Sequence, residues 1–195
     1  MGLPESFFNR NTVTVARALL GKQICRVIRG NLLCGMVVET EAYVGPGDTA
    51  CHAFRGKTAR NEVMFGKPGH AYVYLVYGMH SMLNIVTEKE NEPAAVLIRA
   101  IEPLAGQDIM ARNRSRSGPG LSNGPAKLCA ALAIDKSLNG LNITRGEKLT
   151  IEKFRNIPAT QIQKGPRIGI AYARPEDQKR PWRFWIRNNA YVSRP

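Results

Sequence analysis

The stretch KQICRVIRGNLLCGMVVETE, residues 22–41, decides the fold. Lys22 to Ile28 alternates apolar and polar side chains, the two-residue period of a half-buried strand. Gly30-Asn31 is a turn signal, and Leu32 to Glu41 follows as a second strand. Together they predict an antiparallel hairpin. On its amino-terminal side, Thr12 to Leu20 predicts a helix. Asn11 or Thr12 caps it, Val15, Leu19 and Leu20 form its apolar stripe, and Gly21 stops it. On the other side, Gly45 to Gly69 is rich in Gly, Pro and charge, with Arg55, Lys57, Arg60 and Lys67. It reads as a long irregular loop, and a loop of that length inside a compact domain is usually functional.

Beyond the loop, His70 to Val76 predicts a strand with Tyr72 and Tyr74 on one face and Val73 and Leu75 on the other. Leu83 to Thr87 and Ala94 to Ala100 are further strands, separated by the charged turn Glu88 to Pro93. Gln107 to Arg114 reads as a short helix, and Pro125 to Leu132 as a second, opened by its proline. Arg112 to Gly120 between them is basic and Ser/Gly-rich, and is expected to be mobile. Leu149 to Ile151, Arg167 to Ala173 and Trp182 to Arg187 predict short strands. No repeat or linker interrupts the chain. The expectation is an α+β fold: one domain over residues 1–195, with a curved, mostly antiparallel sheet flanked by helices.

The 195 residues are 44% hydrophobic, enough for a full core and against disorder. The net charge of +13 favours nucleic acid or another polyanion as partner. Cys25, Cys34, Cys51 and Cys129 form no C-x-x-C pair and have no His cluster beside them, so no zinc site is expected. Most of them sit inside apolar runs and read as buried small hydrophobes of a reducing compartment. Met1 to Arg10 has no signal-peptide pattern, and no apolar run is long enough to span a bilayer. A soluble cytoplasmic protein is expected, with no membrane partner.

The chemistry concentrates between Glu39 and Asn84. Glu41 ends a strongly apolar strand, and a carboxylate beside a packed core is costly without a task or a partner. Glu39 shares its face by the two-residue period. Arg99 likewise follows hydrophobes, so Glu41 and Arg99 form a natural pair able to hold a water. Tyr77 precedes Gly78-Met79, where a tight turn thrusts a flat side chain outward, as insertion into a base stack requires. The plain alternatives are an exposed strand end or surface salt bridge for Glu41, ordinary strand aromatics for Tyr72, Tyr74 and Tyr77, a surface His52, and a turn-capping Asn84.

The segments VVETEAYVGPGD with the His52 that follows, MFGKPGHAYVYLVYGMHSMLN, AVLIRAIEPL, GPAKLCAALAI and RIGIAYA closely resemble, in order and spacing, the alkyladenine (3-methyladenine) DNA glycosylase family. The chain looks like a bacterial member, lacking the long amino-terminal extension of the mammalian enzymes. The resemblance implies a fold similar to the formyltransferase carboxy-terminal domain. It also implies a monofunctional, cofactor-free enzyme of base-excision repair. Such an enzyme acts as a monomer on double-stranded DNA and removes 3-methyladenine, 7-methylguanine, hypoxanthine or ethenoadenine. Glu41 then matches the general base. Arg99 and the main-chain carbonyl of Ile168 match groups that hold the water. Tyr43 matches one wall of the base pocket, and His52 and Tyr74 the opposite wall, the His52 N–H donating to the base edge. Asn84 matches the residue that crowds the amino group of guanine, Tyr77 the wedge, and Met79 a minor-groove neighbour. His80, Cys51 and the segment Arg174 to Arg183 depart from the mammalian pattern, which bears on substrate breadth and groove contacts.

Three other classes compete. A non-catalytic nucleic-acid module leaves Glu41 and Arg99 unexplained. A formyl-transfer domain needs a Gly-rich phosphate loop that the chain lacks. A bifunctional lyase needs a pocket amine, and Lys57 and Lys67 lie outside the constellation. Glu39, two residues back from the base, is expected to be expendable.

Overall fold

The computed structural model describes residues 2–146 and 148–193; of the single domain expected over 1–195, residues 1, 147, 194 and 195 lie outside it. A short helix α1 (Glu5–Phe8) leads into α2 (Thr12–Leu19). The Asn11 side chain accepts from the Thr14 N–H at 3.2 Å and so caps α2. Strands β1 (Gln23–Ile28) and β2 (Asn31–Val44) form the expected hairpin. Its turn falls on Arg29 and Gly30, both at positive φ, as the tight turns that suit strand twist require. After the irregular segment come β3 (Ala71–Val76), β4 (His80–Val86) and β5 (Ala94–Ala105). Then follow α3 (Gln107–Arg114), α4 (Pro125–Ala131), β6 (Leu149–Glu152), β7 (Ile162–Gly165), α5 (Pro175–Lys179) and β8 (Arg183–Ile186).

All eight strands join one open antiparallel sheet in the order β3-β4-β5-β2-β1-β6, with β8 beside β2 and β7 beside β8. The organising element is β2. One of its edges pairs with β5 from Cys34 to Val44. The other pairs with β1 as far as Met36, then with β8 from Glu39 to Glu41. The register against β5 slips between Val37 and Thr40, where β1 gives way to β8. Such an irregularity bends the strand and re-aims its side chains. Residues 33–42 are buried throughout, so β2 runs through the core rather than along one side of it. Helix α2 packs Val15, Ala16 and Leu19 into that core, and α4 adds Leu128, Cys129 and Ala131.

Several expectations change. Arg167–Ala173 is not a strand: it is a run of bends and turns with Gly169 at φ +78°. Its Ile168 N–H bonds a side-chain carboxylate instead of a neighbouring strand. The strand of this region lies earlier, at β7, whose polar sequence gave no alternating signal. Arg114 donates to the Leu121 and Gly120 carbonyls and so links the end of α3 to the segment that follows it. Cys25 and Cys34 are not thiols: they face each other across the hairpin and form a disulfide. Cys51 and Cys129 are buried free thiols, as expected. Among the described residues no helix is long and apolar enough to cross a membrane.

Candidate active site

The loop expected at residues 45–69 has no strand and only one 3₁₀ turn, Glu62–Phe65. Polar side chains order it. Asp48 accepts from the N–H groups of Val44 and Ala50, and Asn61 donates to the carbonyls of His52 and Gly56. These bonds fix His52 above β3, where its Nδ1 lies 2.9 Å from the Tyr72 hydroxyl. Its ring meets Tyr74 edge-on at 4.4 Å between centroids. Burial, and then the Arg60 cation, lower the His52 pKa to about 4, so the imidazole is neutral at physiological pH.

A cavity of about 580 Å³ opens between this loop, the β3–β4 hairpin and the turns at 168–172. Tyr43, His52, Tyr74, Tyr77, Asn84, Arg99 and Ile168 all line it. The structure therefore brings seven of the nine sequence-derived site residues to one cavity. Glu41 lies behind the wall, wholly buried. Met79 sits at the hairpin tip, 72% exposed, next to a Tyr77 that is 91% exposed. Tyr77 and Gly78 are both at positive φ, and the Met79 N–H closes the turn on the Val76 carbonyl. A non-glycine residue held at positive φ is unusual and turns its side chain out of the hairpin. Asn84 is buried, its amide donating to the Tyr72 carbonyl at 3.2 Å.

Glu41 is held from three sides. Its Oε1 accepts the Ile168 N–H at 2.7 Å, and its Oε2 accepts the Tyr43 hydroxyl at 2.8 Å. Arg99 Nη1 lies 3.3 Å from the same Oε2, the pairing expected from sequence. Burial raises the Glu41 pKa above the ordinary carboxylate value, against the lowering effects of Arg99, Ile168 and Tyr43. Burial and the facing carboxylate also raise the Tyr43 pKa, so its hydroxyl stays protonated and donates.

Five further side chains have roles that the sequence reading did not give them. Arg167 lies with its guanidinium 4.8 Å from the Tyr43 ring and 5.2 Å from the Trp182 ring. Asp48 grips it with both oxygens, and both side chains are completely buried. This ion pair fixes the back of Tyr43 and the residue before Ile168. Asp48→Ala strands the Arg167 charge in the interior, and breaking a buried pair costs about 3–5 kcal/mol. A loss of that size in the urea unfolding free energy is the expected result. Tyr172, 69% exposed, tethers its hydroxyl to the Ala50 carbonyl at the cavity mouth. Arg60 lines the cavity with its guanidinium 5.5 Å from the Tyr74 ring. The fifth is Glu39, which is no bystander. It is fully buried, and Arg99, Arg183 and Ser193 all donate to it. The expectation that it is expendable does not survive these contacts, because losing its charge leaves buried donors without their partner.

The chain is similar to known proteins along nearly its whole length. A family model described as methylpurine-DNA glycosylase matches residues 6–190. A protein of Methanocella arvoryzae is 50% identical, covering 98% of this chain and 96% of its own length. One from Carboxydothermus hydrogenoformans is 48% identical over the whole of both chains. One from Desulfitobacterium hafniense is 46% identical over 98% of each. All three carry the name "Putative 3-methyladenine DNA glycosylase". A match spanning nearly the whole chain makes it a member of the methylpurine-DNA glycosylase family, and so a DNA-repair hydrolase of N-glycosyl bonds.

Proposed function

We propose that the protein extrudes an alkylated or deaminated purine from duplex DNA and hydrolyses its glycosidic bond with a water activated by Glu41, leaving an abasic site. The observation that carries this reading is the buried Glu41 carboxylate, held by Ile168, Tyr43 and Arg99 directly behind an aromatic cavity. Extrusion costs a few kcal/mol, least where damage weakens pairing. Stacking on Tyr43, Tyr74 and His52 recovers it, at about 1–3 kcal/mol per base–aromatic contact. Tyr77 enters the gap in the duplex, with Met79 beside it in the minor groove. Asn84 crowds the amino group of an undamaged guanine. The Ile168 carbonyl and Arg99 orient the water. As the sugar becomes oxocarbenium-like, Glu41 stabilises its charge and takes the proton of the attacking water.

3-Methyladenine, 7-methylguanine, hypoxanthine and ethenoadenine are the proposed lesions. The direct test is incubation with duplexes carrying one hypoxanthine or one 1,N6-ethenoadenine, followed by alkaline cleavage. Strand breaks at the lesion support the reading, and intact strands with every lesion overturn it.

The reaction is proposed to be monofunctional and to need no cofactor. Among the described residues no lysine lines the cavity, so no amine stands ready to form a Schiff base with the abasic sugar. Borohydride added during turnover is expected to trap no protein–DNA adduct, and EDTA is expected to leave the rate unchanged. A trapped adduct assigns a lyase step instead.

A further inference from the structure

Behind the cavity, two carboxylates and two guanidiniums are packed together. Glu39 and Glu41 are both fully buried on β2, and Arg99 lies between them. Its Nε donates to Glu39 Oε1 at 3.1 Å, and its Nη1 lies 3.3 Å from Glu41 Oε2. One guanidinium thus faces two buried carboxylates, and an uncompensated charge on Glu39 makes the charge on Glu41 costlier. The second cation is Arg183, whose Nη1 donates to Glu39 Oε1 at 3.0 Å. Strand pairing puts Arg183 opposite Glu41, its Nε donates to the Pro166 carbonyl at 3.0 Å, and its guanidinium lies 4.1 Å from the Trp185 ring. Ser193 adds to the shell, giving Glu39 its N–H at 2.7 Å and its hydroxyl at 3.0 Å.

We infer that Arg183, with Ser193, neutralises Glu39 and thereby leaves the charge of Arg99 to Glu41. Arg183 is then a positioning residue of the reaction. Neither it nor Glu39 is among the residues that line the cavity. The inference rests on the reading of Glu41 as the base.

The other groups around Glu41 do not take over this task. Tyr43 beside it on β2, Tyr74 from β3 and Tyr172 from the 168–172 turns all have raised pKa values and stay neutral. Arg167, from the segment before Ile168, is already paired with Asp48. Among the described residues Glu39 is the anion that acts on Glu41, and it raises the pKa of Glu41. A base works ionised, so anything that raises its pKa moves the acid limb of the rate profile to higher pH.

The test is single-turnover excision across pH, on the lesion duplex that the wild type cleaves. Arg183→Gln is expected to move the midpoint of the acid limb up by about one to two pH units. Its rate on the alkaline plateau stays within a few-fold of wild type. Arg183→Lys keeps the charge and returns the limb close to its wild-type position. The double variant Glu39→Gln/Arg183→Gln removes both charges together and returns the limb to its wild-type position. A loss by Arg183→Gln that is uniform at every pH reduces Arg183 to a packing residue and overturns the inference, as does a limb that stays displaced in the double variant. If Arg183→Gln does not fold by circular dichroism, Arg183→Lys and the double variant decide: a limb displaced in either one overturns it. Glu41→Gln is run alongside. Its full activity removes the reading of the base itself, an outcome distinct from failure of the Arg183 arms.

Discussion

Glu41→Gln is expected to keep the fold and bind a lesion duplex as the wild type does, yet lose excision by orders of magnitude. The amide keeps the shape of the side chain but gives up the charge and the proton acceptor. General-base assistance alone is worth about 10²–10⁴-fold. Loss of the charge that faces the oxocarbenium adds to that. The fold is expected to tolerate the change because the amide oxygen still accepts, Arg99 keeps Glu39 as its ionic partner, and burial already raises the Glu41 pKa. The loss is expected to be smaller for 7-methylguanine than for hypoxanthine. A cationic base leaves readily, whereas a neutral one relies more on the enzyme. Single-turnover rates on the two duplexes, set against binding measured with the same DNA, check both parts.

Tyr77→Ala is expected to separate opening of the duplex from chemistry. Tyr77 is 91% exposed at a turn and contributes almost nothing to the core, so stability is expected to change little. Excision from duplex DNA falls far more than excision from the same lesion in a single strand, where no stack has to be opened. Unequal losses place Tyr77 in the duplex. Equal losses make it a wall of the base pocket, which its position in the cavity lining also allows.

Much of the architecture was legible because apolar periodicity and turn residues agree. The hairpin of β1 and β2, helix α2 with its Asn11 cap, and the turn that exposes Tyr77 all follow from local sequence. The pairing of Glu41 with Arg99 was legible too, because each is a charge among hydrophobes and the two signs cancel. Other features were hidden for physical reasons. Ile168 and Ile170 imitate a strand, but Gly169 breaks the extended backbone and Ile168 gives its N–H to Glu41. The polar β7 is held by pairing with β8, a partner distant in sequence.

The disulfide had a signal: counting outward from a two-residue turn at Arg29-Gly30 sets Cys25 opposite Cys34. Placing the turn at Gly30-Asn31 moved that register. Asp48, Arg167 and Arg183 were invisible as site residues because their roles exist only in the packed molecule. Each is tied to a partner that no local pattern connects to it.

The most direct test of the account compares wild type and Glu41→Gln on one duplex carrying a single hypoxanthine or ethenoadenine. Binding is followed by gel shift and excision by alkaline cleavage of the abasic site. The expected result is affinities within a few-fold of each other, with excision by the wild type alone. Excision by Glu41→Gln at a rate close to that of the wild type contradicts the assignment of Glu41 as the base.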